Sequence, residues 1–275
     1  MTKKVNSGQM IGFILTIMLL TIVLFPFLWL IITTFKADNE IVKYPPTFFA
    51  LKYTVSSYVK VWQSIPLIDF LKNTVIFAGS VTVISVLFDS MAGYAFARFN
   101  FKGKKILFPF ILITMMIPFQ VLMIPLFIEV FKLGILNTYA GLILPRMADA
   151  FGIFLMRSSF LSLPKELEEA ARVDGFNEFQ IFFKIMLPLC KPAVITLGIV
   201  NLMGNWNDLL YPLMLTSTTK MRTISAGLAM FVGQRTLEYG PTLAAAAIAL
   251  LPLIVVYIFA QKYFVQGIAT SGLKG

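Results

Sequence analysis

The chain has 275 residues, of which 58% are hydrophobic and only 13% are charged, with a mean hydropathy of +0.84. A soluble domain carries about 25% charged residues, so this composition excludes an ordinary soluble fold and indicates a protein embedded in lipid. The net charge of +10 lies beside apolar stretches, where anionic headgroups are, and follows no nucleic-acid-binding module, so nucleic acid is not an expected partner.

Six stretches contain the roughly 20 mostly apolar residues that a transmembrane helix needs. They are 10–34, 71–97, 106–131, 140–160, 193–215 and 242–264. The first is too long for the apolar core of a signal peptide, and no clear cleavage site follows it, so we expect an uncleaved anchor. We therefore predict an all-α membrane protein with a single transmembrane domain over residues 1–275.

Polar residues inside the early spans are functional candidates, because lipid does not solvate them. Asp89, deep in the second span, is expected to form a structural pair with a neighbouring helix. Gln120 in the third span lies between two prolines and could line a solute pathway or satisfy a kinked backbone. In the fourth span, Arg146 and Asp149 are three residues apart and are expected to neutralise each other.

The fifth span and its outer end carry a polar and aromatic cluster of Asn201, Asn205, Trp206, Asn207, Asp208 and Tyr211. The spacing of Asn201, Asn205 and Asp208 places them on one helix face. Amides can bind sugar hydroxyls and aromatic rings can stack on sugars, so these residue types suit a sugar pathway. They could equally cap the helix and join it to a partner subunit, and both interpretations stay open.

Lysine and arginine near the spans predict the orientation. Both sides of the membrane hold similar totals, but the short connection 98–105 contains Arg98, Lys102, Lys104 and Lys105. Because short loops weigh most, we place this connection, and Lys3 and Lys4 before the first span, in the cytoplasm. Both termini are then cytoplasmic, and the longer loops 36–70 and 216–241 lie outside.

The most informative cytoplasmic stretch is 163–188, between the fourth and fifth spans. Ser162 is predicted to cap the start of a helix, and Pro164 suits its first turn. The spacing of Glu168 and Arg172 allows them to pair. Gly175 is expected to end this helix in the left-handed conformation.

A second short helix is predicted after Gly175, because an apolar stripe follows at helical spacing. The stripe consists of Phe176, Phe179, Phe183 and Met186. This helix would lie at the headgroup boundary or on the base of the bundle. An ordinary interfacial loop would show the same periodicity, so the pattern alone does not assign a function.

The same stretch resembles the EAA signature of ATP-binding-cassette importer permeases. That signature is Glu-Ala-Ala, three residues, Gly, nine residues and Ile-x-Leu-Pro. Here Glu169-Ala170-Ala171, Gly175 and Ile185-Met186-Leu187-Pro188 match it at every position.

Further motifs resemble the carbohydrate branch of that family, in particular its smaller, maltose-type permease subunit. They are Asn205-Trp206-Asn207-Asp208, Tyr211-Pro212-Leu213, Gly227-Leu228 and the ending at 261–275. Within that ending, Ala269 and Ser271 depart from the usual pattern. The resemblance covers residues 10–275.

The resemblance implies the type I importer permease fold, with six transmembrane helices and a cytoplasmic coupling helix between the fourth and fifth. The chain would form half of the pathway for a sugar or sugar-like solute in a prokaryotic inner or plasma membrane. Its implied partners are a second permease subunit, dimeric ATP-binding subunits, an extracytoplasmic solute-binding protein and membrane lipid. ATP would be bound by the partner subunits, because this chain has no Gly-x-x-x-x-Gly-Lys-[Ser/Thr] run, and no cofactor of its own is expected.

Two groups of residues carry these expectations. The resemblance assigns contact with the ATPase and the turn beside it to Glu169, Ala170, Ala171, Asp174, Gly175, Leu187 and Pro188. Glu169 would supply the acidic contact, and small Ala170 and Ala171 would leave a flat surface for close approach. The candidate pathway residues are Gln120, Asn201, Asn205, Trp206, Asp208 and Tyr211.

Other classes of function explain the sequence less well. A self-contained secondary transporter or channel often has internal repeats and a coupling-ion site, and neither is convincing here. A membrane-embedded enzyme or a metal site would have to work with one cysteine, Cys190, and no histidine. The sequence does not name the solute, and monosaccharides, oligosaccharides and glycerol-3-phosphate stay open.

Overall fold

The computed structural model describes residues 7–234 and 239–272, with side chains described at 8, 10–230 and 239–258. Over this part of the chain the fold is helical, and no strand is present. The side chains of the ending at 261–275, and Lys3 and Lys4, which entered the orientation argument, lie outside the described residues.

The helices vary widely in length, from single turns to spans of more than 30 residues. They are α1 (Ser7–Thr34), α2 (Asp38–Ile41), α3 (Ser56–Ser64), α4 (Leu67–Arg98), α5 (Lys104–Thr114), α6 (Phe119–Lys132), α7 (Tyr139–Ile143), α8 (Ala150–Leu161), α9 (Glu166–Val173), α10 (Glu178–Ile181), α11 (Leu187–Leu189), α12 (Lys191–Asn207), α13 (Leu210–Leu215), α14 (Ile224–Gln234) and α15 (Tyr239–Gly272). Two 3₁₀ turns (Leu144–Arg146 and Thr219–Met221) and a π-helical turn (Phe182–Met186) complete the described elements.

Three of the described helices are by themselves long and apolar enough to cross a membrane, over Met10–Thr34, Leu67–Arg98 and Tyr239–Ile258. The predicted spans 10–34 and 71–97, and the start of 242–264, fall on them. Three bent helix pairs also qualify when each pair is taken as one span. They are Lys104–Thr114 with Phe119–Lys132 (bent by 103°), Tyr139–Arg146 with Ala150–Leu161 (43°), and Glu178–Leu189 with Lys191–Asn207 (81°).

The breaks have identifiable local causes. Pro118 precedes α6 and disfavours helical geometry in the residue before it, so α5 and α6 cannot run on as one helix. Asp149 is extended and caps α8 by accepting a hydrogen bond from the Gly152 N–H (3.3 Å). The predicted fifth span, 193–215, is interrupted as well, because Asp208 is extended between α12 and α13.

The chain divides into two compact units. The first unit contains Met1–Leu67 and Met230–Leu251, and the second contains Ile68–Ala229 and Pro252–Gly275. In the first unit, α1 is exposed along its whole apolar window, as suits a helix surrounded by lipid or by another subunit. The second unit contains the residues discussed below.

Two clusters of buried side chains form the core of the second unit. The Phe160 cluster comprises Tyr94, Met156, Phe160, Ala171, Ile181, Phe182, Met186, Cys190 and Leu197. The Tyr211 cluster comprises Phe77, Val81, Val130, Leu142, Tyr211 and Leu215. The first joins the 163–188 segment to α4, α8 and α12, and the second packs α13 against α4, α6 and α7.

Candidate functional site

A cavity of about 680 Å³ lies within the second unit, between α4, α6, α12, α13 and the break before α8. Its volume falls in the range of small-molecule sites. The polar residues of its wall are Ser85, Glu129, Arg146, Asp149, Asn201 and Asn205, and Phe119 and Tyr211 supply aromatic rings.

Arg146 organises one side of this cavity. Its guanidinium forms an ion pair with Asp208 (Nη2–Oδ2 2.5 Å) and donates a hydrogen bond from Nη1 to Asn205 Oδ1 (2.8 Å). It also stacks over the Tyr211 ring, 4.0 Å from the centroid. Arg146 is therefore neutralised by Asp208, across two broken helices.

The predicted Arg146–Asp149 pair is wrong, since no ion pair joins these residues in the described part of the chain. The expectation assumed a continuous helix, in which residues three apart share a face. Here Arg146 ends a 3₁₀ turn, whereas Asp149 is extended and its carboxylate caps α8. The local break removes the geometry on which the prediction rested.

A second polar chain crosses from α12 to the start of α8 through α4. The Asn201 amide donates to Ser85 Oγ (2.9 Å), and the Ser85 hydroxyl donates to Asp89 Oδ2 (2.6 Å). The other carboxylate oxygen of buried Asp89 accepts from the Asp149 N–H (2.8 Å). The structural role expected for Asp89 is borne out, because its carboxylate binds the backbone of a neighbouring helix.

The structure gathers only some of the candidate pathway residues at the cavity. Asn201, Asn205 and Tyr211 line it, and Asp208 reaches its edge through Arg146. Trp206 is buried elsewhere, its carbonyl accepting from Ser225 Oγ (3.3 Å), and Gln120 is exposed outside the cavity wall. Neither residue is among those that line this cavity.

Sequence reasoning missed two polar residues of the cavity wall. Glu129 is the only charged residue in the predicted span 106–131, and that isolation was a usable signal. Ser85 precedes Asp89 by one helical turn, so the two could have been linked as neighbours on one face.

The 163–188 segment forms the other candidate site, and it contains more than two helices. After α9, Gly175 adopts φ +83°, which bears out the expected left-handed residue. Asn177 and Gln180 then form a capping box at the start of α10. The π-helical turn and α11 follow, leading into α12.

Ser162 does not cap α9, so that prediction is wrong. Helix α8 continues to Leu161, and Ser162 closes it, with its hydroxyl donating to Ser159 O (2.7 Å). Helix α9 begins later, at Glu166, and has no side-chain cap.

The predicted Glu168–Arg172 pair is also wrong. Glu168 turns inward to Arg98 (Oε1–Nε 3.3 Å), and both side chains are almost fully buried. Arg172 instead donates to Glu178 (Nε–Oε1 2.8 Å) in an exposed pair, which raises the pKa of the Arg172 guanidinium above its usual value. Because α9 packs against the end of α4, Glu168 pairs with Arg98, and Arg172 is left to pair with Glu178.

The apolar stripe predicted after Gly175 is divided between buried and exposed positions, and the exposed part suits the headgroup boundary. Met186 is buried, but Phe179 and Phe183 are exposed, and Ile181 and Phe182 are buried in their place. The π-helical turn inserts an extra residue per turn, so the buried face departs from the regular helical spacing that the prediction assumed.

The outward face of α9 differs from the expected flat alanine surface. Ala171 is buried in the Phe160 cluster, so only Ala170 faces outward, beside exposed Glu169 and Asp174. Val173 is 88% exposed and stands at the end of this helix. The exposed face of α9 is therefore acidic with an apolar tip. Leu187 packs against the Phe160 cluster, and Pro188 is exposed.

Comparison with known families decides the class of protein. A family model described as "Binding-protein-dependent transport system inner membrane component" matches residues 89–270. The chain belongs to this family. The match includes the whole 163–188 segment and most of the cavity wall, and it confirms the resemblance seen in the EAA signature.

Several curated relatives of this inner membrane component are permease proteins of sugar transport systems. The arabinooligosaccharides transport system permease protein AraQ of Halalkalibacterium halodurans is 36% identical, over 99% of this chain and 100% of the relative. The lactose transport system permease protein LacG of Rhizobium radiobacter is 35% identical, over 90% of each chain. The trehalose/maltose transport system permease protein MalG of Thermococcus litoralis is 34% identical, over 94% of each.

A solved structure shares the fold of this inner membrane component. A chain in the crystal structure of a bacterial ABC transporter involved in the import of the acidic polysaccharide alginate superposes with a TM-score of 0.83. The two are 24% identical, and the superposition covers 96% of this chain and 100% of the other. This likeness supports the fold and carries no information on the solute.

Proposed function

We propose that this chain is one of two permease subunits of an ATP-driven importer for a neutral sugar or oligosaccharide. The observation that carries the proposal is the EAA signature on α9, whose Glu169 is exposed while Glu168 and Ala171 anchor the helix inward. An acid presented on an anchored helix suits contact with a separate subunit. In this proposal Glu169 meets a basic residue of the ATP-binding subunit, and Val173 fills an apolar recess beside it.

The same proposal includes six membrane crossings, with both termini and the 163–188 segment in the cytoplasm. The three long helices supply three crossings, and the bent pairs α5–α6 and α7–α8 leave room for two more. The sixth crossing would run from α12 into α13, because Glu178–Leu189 of the third bent pair belongs to the cytoplasmic segment. The basic connection 98–105 supports a cytoplasmic position for the end of α4.

The cavity in the second unit is proposed to contribute one wall of the solute pathway. Asn201 and Asn205 carry amides, and Tyr211 and Phe119 offer ring faces for a sugar. The charge balance favours a neutral solute, because Asp208 already neutralises Arg146, whereas the carboxylates Glu129 and Asp149 repel anions. The names of the relatives, which include arabinooligosaccharides, lactose and trehalose/maltose, agree with a sugar as the solute, and the proposed neutrality rests on the cavity charges alone.

The other activities are assigned to partners. Dimeric ATP-binding subunits would bind and hydrolyse ATP, a second permease would complete the pathway, and an extracytoplasmic binding protein would deliver the sugar. One superposed structure comes from an ABC transporter in complex with a periplasmic protein, bound to an alginate pentasaccharide, which supports such an arrangement. No cofactor is proposed for this chain itself.

The test is reconstitution in liposomes. The chain is co-expressed with a candidate second permease and ATP-binding subunit from the same organism. Uptake of labelled neutral oligosaccharides is then followed with ATP inside the liposomes and binding protein outside. We expect uptake only with all components present. Uptake by the isolated chain without ATP would contradict the proposal and favour a secondary transporter.

A matched pair of variants tests the contact on α9. Glu169→Ala should lower binding-protein-stimulated ATPase and uptake about tenfold, as expected when one partner of an interfacial ion pair is removed. Glu166→Ala removes another exposed acid from the same helix and should leave both rates unchanged. Equal effects of the two variants would contradict a specific contact at Glu169.

A further inference from the structure

Arg98, which the sequence places in a basic cytoplasmic loop, is a buried part of the second unit. Its side chain is only 3% exposed, and that of Glu168 is 5% exposed. Their Nε and Oε1 atoms are 3.3 Å apart, and Arg98 Nη2 donates to the Leu163 carbonyl oxygen (2.7 Å). Arg98 ends α4, Leu163 follows α8, and Glu168 lies on α9, so one guanidinium holds three elements.

An ion pair in this position is not explained by stability alone. Burying two charges costs free energy that their attraction scarcely recovers, and an apolar pair of similar size often stabilises a fold equally well. The Nε–Oε1 contact is a charge pair without hydrogen-bond geometry, since neither atom has a hydrogen-bond partner among the described residues. Direction comes from the hydrogen bond that Arg98 Nη2 donates to the Leu163 carbonyl oxygen, because such a bond fixes distance and angle, whereas apolar contacts allow sliding. The neighbouring Arg172–Glu178 pair differs in that it is exposed to solvent, although Arg172 donates two hydrogen bonds to the Glu178 carboxylate.

The apolar contacts around this pair are already extensive. Ala171 on α9 packs into the Phe160 cluster together with Tyr94 of α4 and Phe160 of α8. A second arginine, Arg157 of α8, donates from Nε to the Phe96 carbonyl oxygen (3.2 Å) near the end of α4. The cluster therefore holds α9 against the bundle, and the Arg98 contacts set its position along the end of α4.

We propose that Arg98 is a positioning residue, which fixes α9 to α4 through Glu168 and Leu163 so that a displacement of α9 moves α4 with it. The inference rests on the proposed function, in which α9 receives the force of ATP-driven closure. The Glu169 face of α9 would receive that force, and the Glu168 face would pass it to α4, which forms part of the cavity wall through Val81 and Ser85.

The first arm of the test uses the full chain in lipid nanodiscs and does not depend on transport. Amide hydrogen exchange is measured over residues 166–173 in the wild type, Arg98→Met, Glu168→Met and the double variant. The double variant leaves no unpaired buried charge, so it should fold, and its α9 amides should exchange about tenfold faster than those of the wild type. Glu178→Gln, which breaks the exposed pair, should leave exchange in α9 unchanged. Unchanged exchange in a folded double variant would overturn the proposal.

The second arm measures coupling in the assembled importer. The double variant should assemble and hydrolyse ATP, but the number of solute molecules imported per ATP should fall about tenfold, as expected for the loss of a buried charge-assisted contact. Arg98→Lys keeps the positive charge but loses the planar set of guanidinium donors. This variant should import more solute per ATP than the double variant and less than the wild type. A merely structural role would lower uptake and hydrolysis in proportion, and that result, or a normal ratio, would contradict the proposal. Failure of the wild type to show ATP-dependent uptake would instead contradict the proposed function.

Discussion

Gly152 allows α8 to lie directly against the carboxylate of Asp89. A Cβ atom at position 152 would lie 2.1 Å from Asp89 Oδ2 and 2.6 Å from its carboxyl carbon. Such distances force Asp89 to move, which would break its hydrogen bonds to Ser85 and to the backbone of Asp149.

We therefore expect Gly152→Ala to lower the free energy of unfolding by about 1–3 kcal/mol, the usual cost of overpacking. Thermal unfolding of the purified chain in detergent measures this loss. Gly204→Ala is the matched control, because a Cβ there meets nothing within 4 Å in another helical segment. A Gly152→Ala variant as stable as the control would show that the approach to Asp89 is looser than described.

Arg146 and Asp208 provide a second prediction at the scale of single residues. Their side chains are 25% and 17% exposed, so a charge left alone by substitution is partly desolvated. Arg146→Met and Asp208→Leu should each lower the free energy of unfolding by about 1–3 kcal/mol, and the double variant should lose less than the two together. A double-mutant cycle measures this coupling, and additive losses would contradict a direct pair.

The residues of the cavity show how far sequence reasoning reaches. Asn201, Asn205 and Tyr211 were accessible, because polar groups stand out within an apolar span. The pairing of Arg146 with Asp208 could not be predicted, because Asp208 lies far along the chain and the contact depends on two helix breaks. Local spacing predicted Asp149 because spacing assumes an unbroken helix.

At the scale of elements, the turn between α9 and α10 depends on the left-handed conformation of Gly175. Valine there should cost about 1–2 kcal/mol of local strain and displace α9, so uptake per ATP should fall while membrane levels of the protein stay normal. Asparagine tolerates this conformation and should cost much less. Normal uptake per ATP in Gly175→Val, at normal membrane levels, would remove the turn from the coupling mechanism.

The loop after α1 provides a prediction of pH dependence. Glu40 Oε1 accepts hydrogen bonds from the Leu51 N–H (2.8 Å) and from the Thr47 hydroxyl (3.0 Å). The backbone hydrogen bond from Leu51 is the main cause that lowers the pKa of Glu40 below its usual 4.5.

Because the folded pKa is the lower one, this stabilisation is present above the usual pKa and is lost as pH falls through the folded value. We expect the amide of Leu51 to lose protection from hydrogen exchange as the pH falls below the usual pKa of a glutamate, after correction for intrinsic rates. In Glu40→Gln, the protection of the Leu51 amide should depend little on pH. Identical pH profiles of protection in the two proteins would contradict the role of the Glu40 carboxylate.

The elements themselves were predicted unevenly. The apolar spans 10–34 and 71–97 fall on single helices, because length and composition suffice to indicate them. The breaks at Asp149 and Asp208, and the π-helical turn, were not predicted, because they depend on side-chain partners elsewhere in the second unit. Pro118 and Pro145 indicated interruptions between α5 and α6 and between α7 and α8, but they did not predict the angles of the bends.

At the scale of the whole molecule, the strongly bent α5–α6 pair leaves two topologies to distinguish. A broken span carries the chain across the membrane, whereas a re-entrant loop returns it to the same side. The proposed six-crossing arrangement requires residues 102 and 133, before and after this pair, to lie on opposite sides.

Cysteine labelling measures this directly, since the native Cys190 is buried and should react little. We expect Lys102→Cys to react with an impermeant maleimide only after the membrane is opened, and Leu133→Cys to react in intact cells. Both positions are exposed. Labelling of both from one side would establish a re-entrant loop and change the number of crossings.

The pairing of Arg146 with Asp208 also constrains how this protein can evolve. Loss of either residue alone leaves a charge without its partner at the cavity, so a viable lineage must exchange both nearly together. We expect homologues without the arginine to lack the aspartate as well. Arg146 also contacts Asn205 and Tyr211, so replacing the Arg146–Asp208 pair would change the contacts of these two cavity residues as well. Changes of preferred solute along this family would then proceed in discrete, two-residue steps.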